Sequence, residues 1–130
     1  MTTLQERLSG LVRFLPVFED GDISFDTYRQ REAEAPTAYA NGDQFFNEAY
    51  RLGWVDTQVP WIEWANTEEG QRLLTPEGIA TATIEDLPRV MTTVIRQDRF
   101  VEGSLDARNR DGYLTAVLRR MRALLDSSAA

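Results

Sequence analysis

Cysteine and histidine are both absent from the 130 residues, and lysine is absent with them. Without thiols the chain forms no disulfide, offers no thiolate to a metal and has no cysteine nucleophile. Without imidazole it builds no Ser-His-Asp or Cys-His triad, no usual zinc site and no histidine proton relay. Without lysine, a Schiff base and a P-loop are excluded, and every cationic side chain is an arginine. Catalysis would fall to carboxylates, arginine, tyrosine, serine or threonine. No cofactor fingerprint is present, so neither a cofactor nor a metal is expected. Long apolar runs are missing too, and the first ten residues are polar and open with a helix signal, unlike a secretory leader. A cytoplasmic protein with no membrane contact is expected. No segment alternates with period two, so strands are not expected.

What is present is acid. Twenty-one Asp and Glu against 14 arginines give a formal charge of -7. That balance opposes general nucleic-acid binding, which needs a basic footprint. It suits solubility, or a basic protein partner met through an acidic face. An apolar fraction of 42% with 27% charged residues is ordinary globular usage. Residues 1–130 are read as one domain, with a small tail at 127–130 expected to be disordered.

The periodicity predicts an all-α fold, a compact single-domain bundle of irregular or orthogonal helices. Thr3 and Glu6 have capping-box spacing, and Leu4, Leu8, Leu11, Val12 and Leu15 follow at helical intervals up to Pro16. Residues 19–42 carry Gly21, Pro36 and an Asn41-Gly42 pair, the signature of a long irregular connection around one short helix near Tyr28. Asp43 is read as capping a helix that Gly53 closes, and Pro60 as starting another that weakens at Gly70. Thr75-Pro76-Glu77 looks like a further, short helix start. Two stripes are clearest: Leu87, Val90, Met91, Val94 and Ile95, then Tyr113, Leu114, Val117, Leu118, Met121, Leu124 and Leu125. These two helices are expected to pack on the first, with the aromatic segment closing the core.

If the Leu87 helix continues, Asp98 lies on its apolar stripe, four residues after Val94. Burying a bare carboxylate costs several kcal/mol. Asp98 therefore needs an arginine such as Arg119 or Arg120, backbone N–H groups at a helix start, or a proton. The functional alternative sets Asp98 and Glu102 one turn apart on a cleft, with Arg96 and Arg99 as an anion clamp. A second candidate is aromatic: Phe45, Phe46, Tyr50, Trp54, Trp61 and Trp64 form a core, or leave Trp54, Trp61 and Trp64 as a patch. The run from Asp20 begins like a calcium loop but has Phe25 where glycine and Arg31 where glutamate are required, which excludes it. Acids gather between Glu19 and Glu69 and arginines from Arg89 onward, so the halves either attract each other or present separate faces.

The run Arg96-x-Asp98-Arg99-Phe100-x-Glu102-Gly103-x-Leu105 resembles a bacterial and archaeal helical family described only as a domain of unknown function. Phe14 to Glu19, Gly53-Trp54-Val55 and Pro60-Trp61-x-x-Trp64 are similar to its other landmarks in the same order. The resemblance implies a compact helical domain and supplies no reaction. The reading that follows is a non-enzymatic protein–protein interaction or binding module. The alternatives are a polar-ligand binder or carboxylate-dependent enzyme at Arg96, Asp98, Arg99 and Glu102, and an acidic inhibitor of a basic or nucleic-acid-binding protein.

Overall fold

The structure is a computed structural model that describes residues 2–26 and 28–129. Among these residues the architecture is all-α: eight α-helices, one 3-10 turn and no strand. In chain order they are α1 (Leu4–Val12), α2 (Leu15–Glu19), α3 (Pro36–Arg51), α4 (Trp61–Ala65), α5 (Glu68–Leu73), the 3-10 turn (Gly78–Thr81), α6 (Asp86–Gln97), α7 (Ser104–Arg110) and α8 (Tyr113–Ala129). No helix is long and apolar enough to cross a membrane among the described residues.

Polar residues set the helix starts. Thr3 Oγ1 accepts the Glu6 amide at 3.1 Å and opens α1, as its spacing predicts. Thr67 does the same for α5 through the Gly70 amide at 3.0 Å. At α6 the capping is reciprocal: Asp86 Oδ2 accepts the Thr83 amide at 2.9 Å, and Thr83 Oγ1 the Asp86 amide at 3.3 Å. Pro88 sits in the first turn of that helix, where its missing N–H leaves no gap.

Several boundaries differ from the sequence reading. Pro16 lies in the first turn of α2 and so begins a helix where a stop was expected. Pro36 likewise begins α3, which runs straight through Asn41-Gly42 and Asp43. The irregular connection therefore ends at residue 35, and Asp43 pairs with Arg29 at 3.0 Å instead of capping a helix. Gly42 is in the helix because the backbone of residues 22–26 presses on it: a Cβ there would meet the Ser24 carbonyl oxygen at 1.9 Å. The Ser24 amide donates to the Ala38 carbonyl at 3.0 Å, and Asn41 Nδ2 to the Asp22 carbonyl at 2.8 Å, holding that strap on α3. The helix expected to weaken at Gly70 breaks earlier, at the Thr67 cap between α4 and α5. At the far end, α8 runs into the stretch set aside as a tail, and residue 130 lies outside the described residues.

One core gathers the stripes. Leu8 and Leu11 of α1, Leu87, Val90, Met91 and Val94 of α6, and Val117, Leu118 and Met121 of α8 are buried in a single cluster. The backbone of α1 runs close to α8, and that of α6 close to α4 and α7. Phe45 is the centre of an aromatic knot, with its ring 5.0 Å from that of Phe18, 5.5 Å from Phe14 and 5.9 Å from Phe25. Tyr113 is buried, and its hydroxyl donates to the Leu73 carbonyl at 2.7 Å. Burial holds that phenol well above its ordinary range.

Candidate functional site

Helix α6 ends at Gln97, one residue before Asp98, which is the reason the polar run does not behave as a helical face. Residues 98–103 form a turn, and Gly103 makes its corner at φ 83°, a conformation that a side chain would strain. Asp98 is half-buried at the start of this turn, and its Oδ1 accepts the Leu105 amide at 3.1 Å. Gly103, the residue before α7, has no side chain to cap that helix, so Asp98 caps it from across the corner. Of the partners foreseen for this carboxylate, the backbone amide at a helix start is the one observed. The arginines are elsewhere: Arg119 lies 3.6 Å from Glu19, and Arg120 Nε donates to the Ala82 carbonyl at 2.8 Å.

Glu102 points the other way. It is exposed, and it accepts a hydrogen bond from the Tyr28 hydroxyl, which ties the strap to the turn and raises the Tyr28 pKa. The strap has further anchors. Asp26 accepts from the Tyr39 hydroxyl at 2.7 Å and from the Tyr28 and Gln30 amides, and the Tyr39 bond holds Asp26 below the usual carboxylate range. Asp106 accepts the Phe25 amide at 2.9 Å. Arg29 takes a left-handed backbone at φ 51° and is fixed by Glu32 and Asp43.

The four residues of the polar run therefore do not share a site. Asp98 borders an open hollow of about 400 Å³ between the strap and α3, with Asp26, Arg29, Asp43 and Phe46. Glu102 borders another, of about 560 Å³, on the far side of the strap with Tyr28, Tyr39 and Arg110. Arg96 borders a third, of about 300 Å³, with Thr57, Val59, Pro60, Trp61 and Thr92. Arg99 is exposed. Neither Arg96 nor Arg99 has an acceptor among the described residues, so the clamp expected of them closes on nothing in the chain itself. No three carboxylates come together as a metal-binding group among the described residues.

The aromatic candidates divide as well. Trp54 is fully buried, its indole N–H donating to the Arg7 carbonyl at 2.9 Å and its ring lying under the Arg7 guanidinium, so it belongs to the core and not to a patch. Trp64 is half-buried and packs against the same core. Trp61 is half-buried too, but its ring stands 5.9 Å from that of Phe100, which is 71% exposed. Ile62 and Val101 beside them are 58% and 55% exposed. Asp56 leads into this platform. Its amide donates to Thr92 Oγ1 on α6 at 2.9 Å, and its Oδ1 accepts the Gln58 amide at 2.9 Å in an Asx turn that feeds Pro60 and α4.

Phe100, Val101 and Ile62 were not singled out as site residues by the sequence reading. The available signal was that Phe100 falls off the stripe of α6 while standing between Arg99 and Glu102. Apolar side chains off the stripe have no core to enter.

Neither curated proteins nor solved structures provide a match to this sequence. The family of unknown function DUF6508 matches residues 3–127, and the chain belongs to that family.

Proposed function

We propose that the chain is a non-enzymatic interaction module and that it docks a protein partner on the face formed by α4 and the turn 98–103. The observation behind this is where the exposed apolar side chains gather. Of the five large ones among the described residues, Ile62, Phe100 and Val101 lie on this face. Single exposed apolar residues are ordinary on a protein surface, but a contiguous group marks an interaction site. Aromatic side chains and arginine are the residue types that dominate binding energy at protein interfaces.

Two other readings have less behind them. A polar-ligand or carboxylate-enzyme site at Arg96, Asp98, Arg99 and Glu102 would need those groups on one cavity, and they border three. An acidic inhibitor of a basic partner has the formal charge of -7 in its favour, but part of that acid, at Glu32, Asp43, Glu48 and Glu69, is already paired with arginines.

The test is site-specific crosslinking in the producing cell, with a photoreactive benzoylphenylalanine in place of Phe100 or, as a control, of exposed Glu77. The expected result is a discrete adduct from position 100 only, lost on adding Ile62→Ser while the thermal midpoint is unchanged. Equal adducts from both positions, or none from position 100, would remove the reading.

A further inference from the structure

Resting on that docking face, we infer its partner: a second copy of this chain, seated on the same face about a two-fold axis. The first ground is the state of the charges there. Three arginines, Arg96, Arg99 and Arg108, and four carboxylates, Asp56, Glu63, Asp98 and Glu102, stand on or beside the apolar group. None of the seven is in an ion pair among the described residues. Arg96 and Glu63 line the same hollow and still do not pair. Where these side chains are engaged, the partner is neutral: Asp56 takes the Gln58 amide, Asp98 the Leu105 amide, Glu102 the Tyr28 hydroxyl and Arg108 the Gln97 side chain. Elsewhere opposite charges meet, Arg29 with Glu32 and Asp43, Arg51 with Glu48, Arg72 with Glu69 and Arg119 with Glu19.

The second ground is the kind of surface that complements such a face. A strongly acidic partner would meet the four carboxylates and a strongly basic one the three arginines, and like charges brought together oppose binding. A surface that carries both signs around an apolar centre avoids both. The same face of another copy meets that condition, because an isologous contact sets each patch against itself and so offers the arginines of one copy to the carboxylates of the other. Net charge favours this contact as well. Three arginines against four carboxylates leave the face at -1 of a formal -7, so most of the repulsion between two copies lies away from it. Ile62, Phe100 and Val101, exposed on the single chain, are the side chains that the contact takes out of water. A two-fold contact also closes on itself, so the product is a dimer and not a growing polymer.

Analytical ultracentrifugation of the whole protein over a range of concentrations tests this. The inference expects a reversible monomer–dimer equilibrium with no larger species, and a dissociation constant that Phe100→Ser raises about tenfold or more. Charge variants supply the sharper arm. Arg96→Glu with Arg99→Glu makes the face almost wholly acidic, and Glu63→Arg with Glu102→Arg makes it mainly basic. Each double variant should be monomeric alone, and an equimolar mixture of the two should dimerise. None of these four side chains is in an ion pair of the fold, and circular dichroism checks that both variants stay folded. The crosslinked adduct from position 100 should have twice the mass of the chain and should form in the purified protein. Charge variants that each self-associate as well as the parent, or a dimer indifferent to Phe100→Ser, would overturn the inference. A parent that stays monomeric while position 100 crosslinks in the cell to a protein of another mass would overturn it and leave the docking face standing. A monomer with no adduct from position 100 would remove both.

Discussion

At Gly42 two effects oppose each other, and their sizes decide the outcome. Alanine is favoured over glycine inside a helix by about 1 kcal/mol. Here, however, the new methyl would sit 1.9 Å from the Ser24 carbonyl oxygen, a backbone atom that no side-chain rotation can move aside. Forced overpacking costs about 1–3 kcal/mol, and displacing the strap also endangers the bond from Ser24 to Ala38. Gly42→Ala is therefore expected to lower Tm by about 5 °C in a calorimetric melt, whereas a rise would show the strap to be loosely held. Asp98 is subject to a milder rule. Asp98→Ala removes the cap of α7 and should cost about 1 kcal/mol, while Asp98→Asn keeps an acceptor and should cost little. Denaturant titration of both variants separates the two. The need of Asp98 for a compensating group was legible in the apolar stripe before it. The identity of that group was not, because it depends on the chain turning back at Gly103 and not on any spacing within α6.

Among the elements, α8 is joined to α5 by one buried hydroxyl, that of Tyr113 on the Leu73 carbonyl. Tyr113→Phe loses this bond and is expected to cost about 1 kcal/mol at neutral pH. Alkali reveals a second effect. The folded chain keeps the Tyr113 proton at a pH where the unfolded chain releases it, because burial raises the phenol's pKa. Its contribution is therefore complete below the ordinary tyrosine value of about 10 and declines as the pH rises past it. The phenylalanine variant should lose stability less steeply over that alkaline range in urea titrations. Some slope remains, since Tyr28 and Tyr39 are shifted in the same direction. The long stripes of α6 and α8 were readable because a period that matches the α-helix over three turns has no competing explanation. Pro16, Pro36 and Asn41-Gly42 were misread for the opposite reason. Proline is equally compatible with a stop and with a first turn, and a glycine demanded by a neighbouring strand of backbone looks the same in sequence as one demanded by a turn.

For the whole molecule, charge is managed locally. The acids of the first half were expected to meet the arginines of the second, but Glu32, Glu48 and Glu69 pair with arginines three residues away, Glu48 also with Arg13 and Asp43 with Arg29 inside the first half, and Glu19 with Arg119 is the one ion pair between the halves among the described residues. Sequence distance between charge blocks gives no spatial partner, whereas one-turn spacing does. Acid stability follows from these contacts. The Tyr39 hydroxyl lowers the pKa of Asp26, Arg29 that of Glu32, and Arg51 that of Glu48. Each contributes fully above the ordinary carboxylate value of about 4, and the contribution is lost as the pH falls through the lower folded value. Helical signal followed from pH 6 downward, an interval that spans roughly this range, should fall below about pH 4 and fall earlier in Tyr39→Phe. An unchanged acid limb in that variant would show the Asp26 bond to be without weight.

The contact between the tilted rings of Trp61 and Phe100 joins two stretches that are remote along the chain. What a partner or an antibody would recognise there is thus a discontinuous epitope, present only while α4 stays seated on α6. Synthetic fragments copied from either stretch alone should fail to compete with the intact protein, and denaturation should erase recognition before any peptide bond is cut.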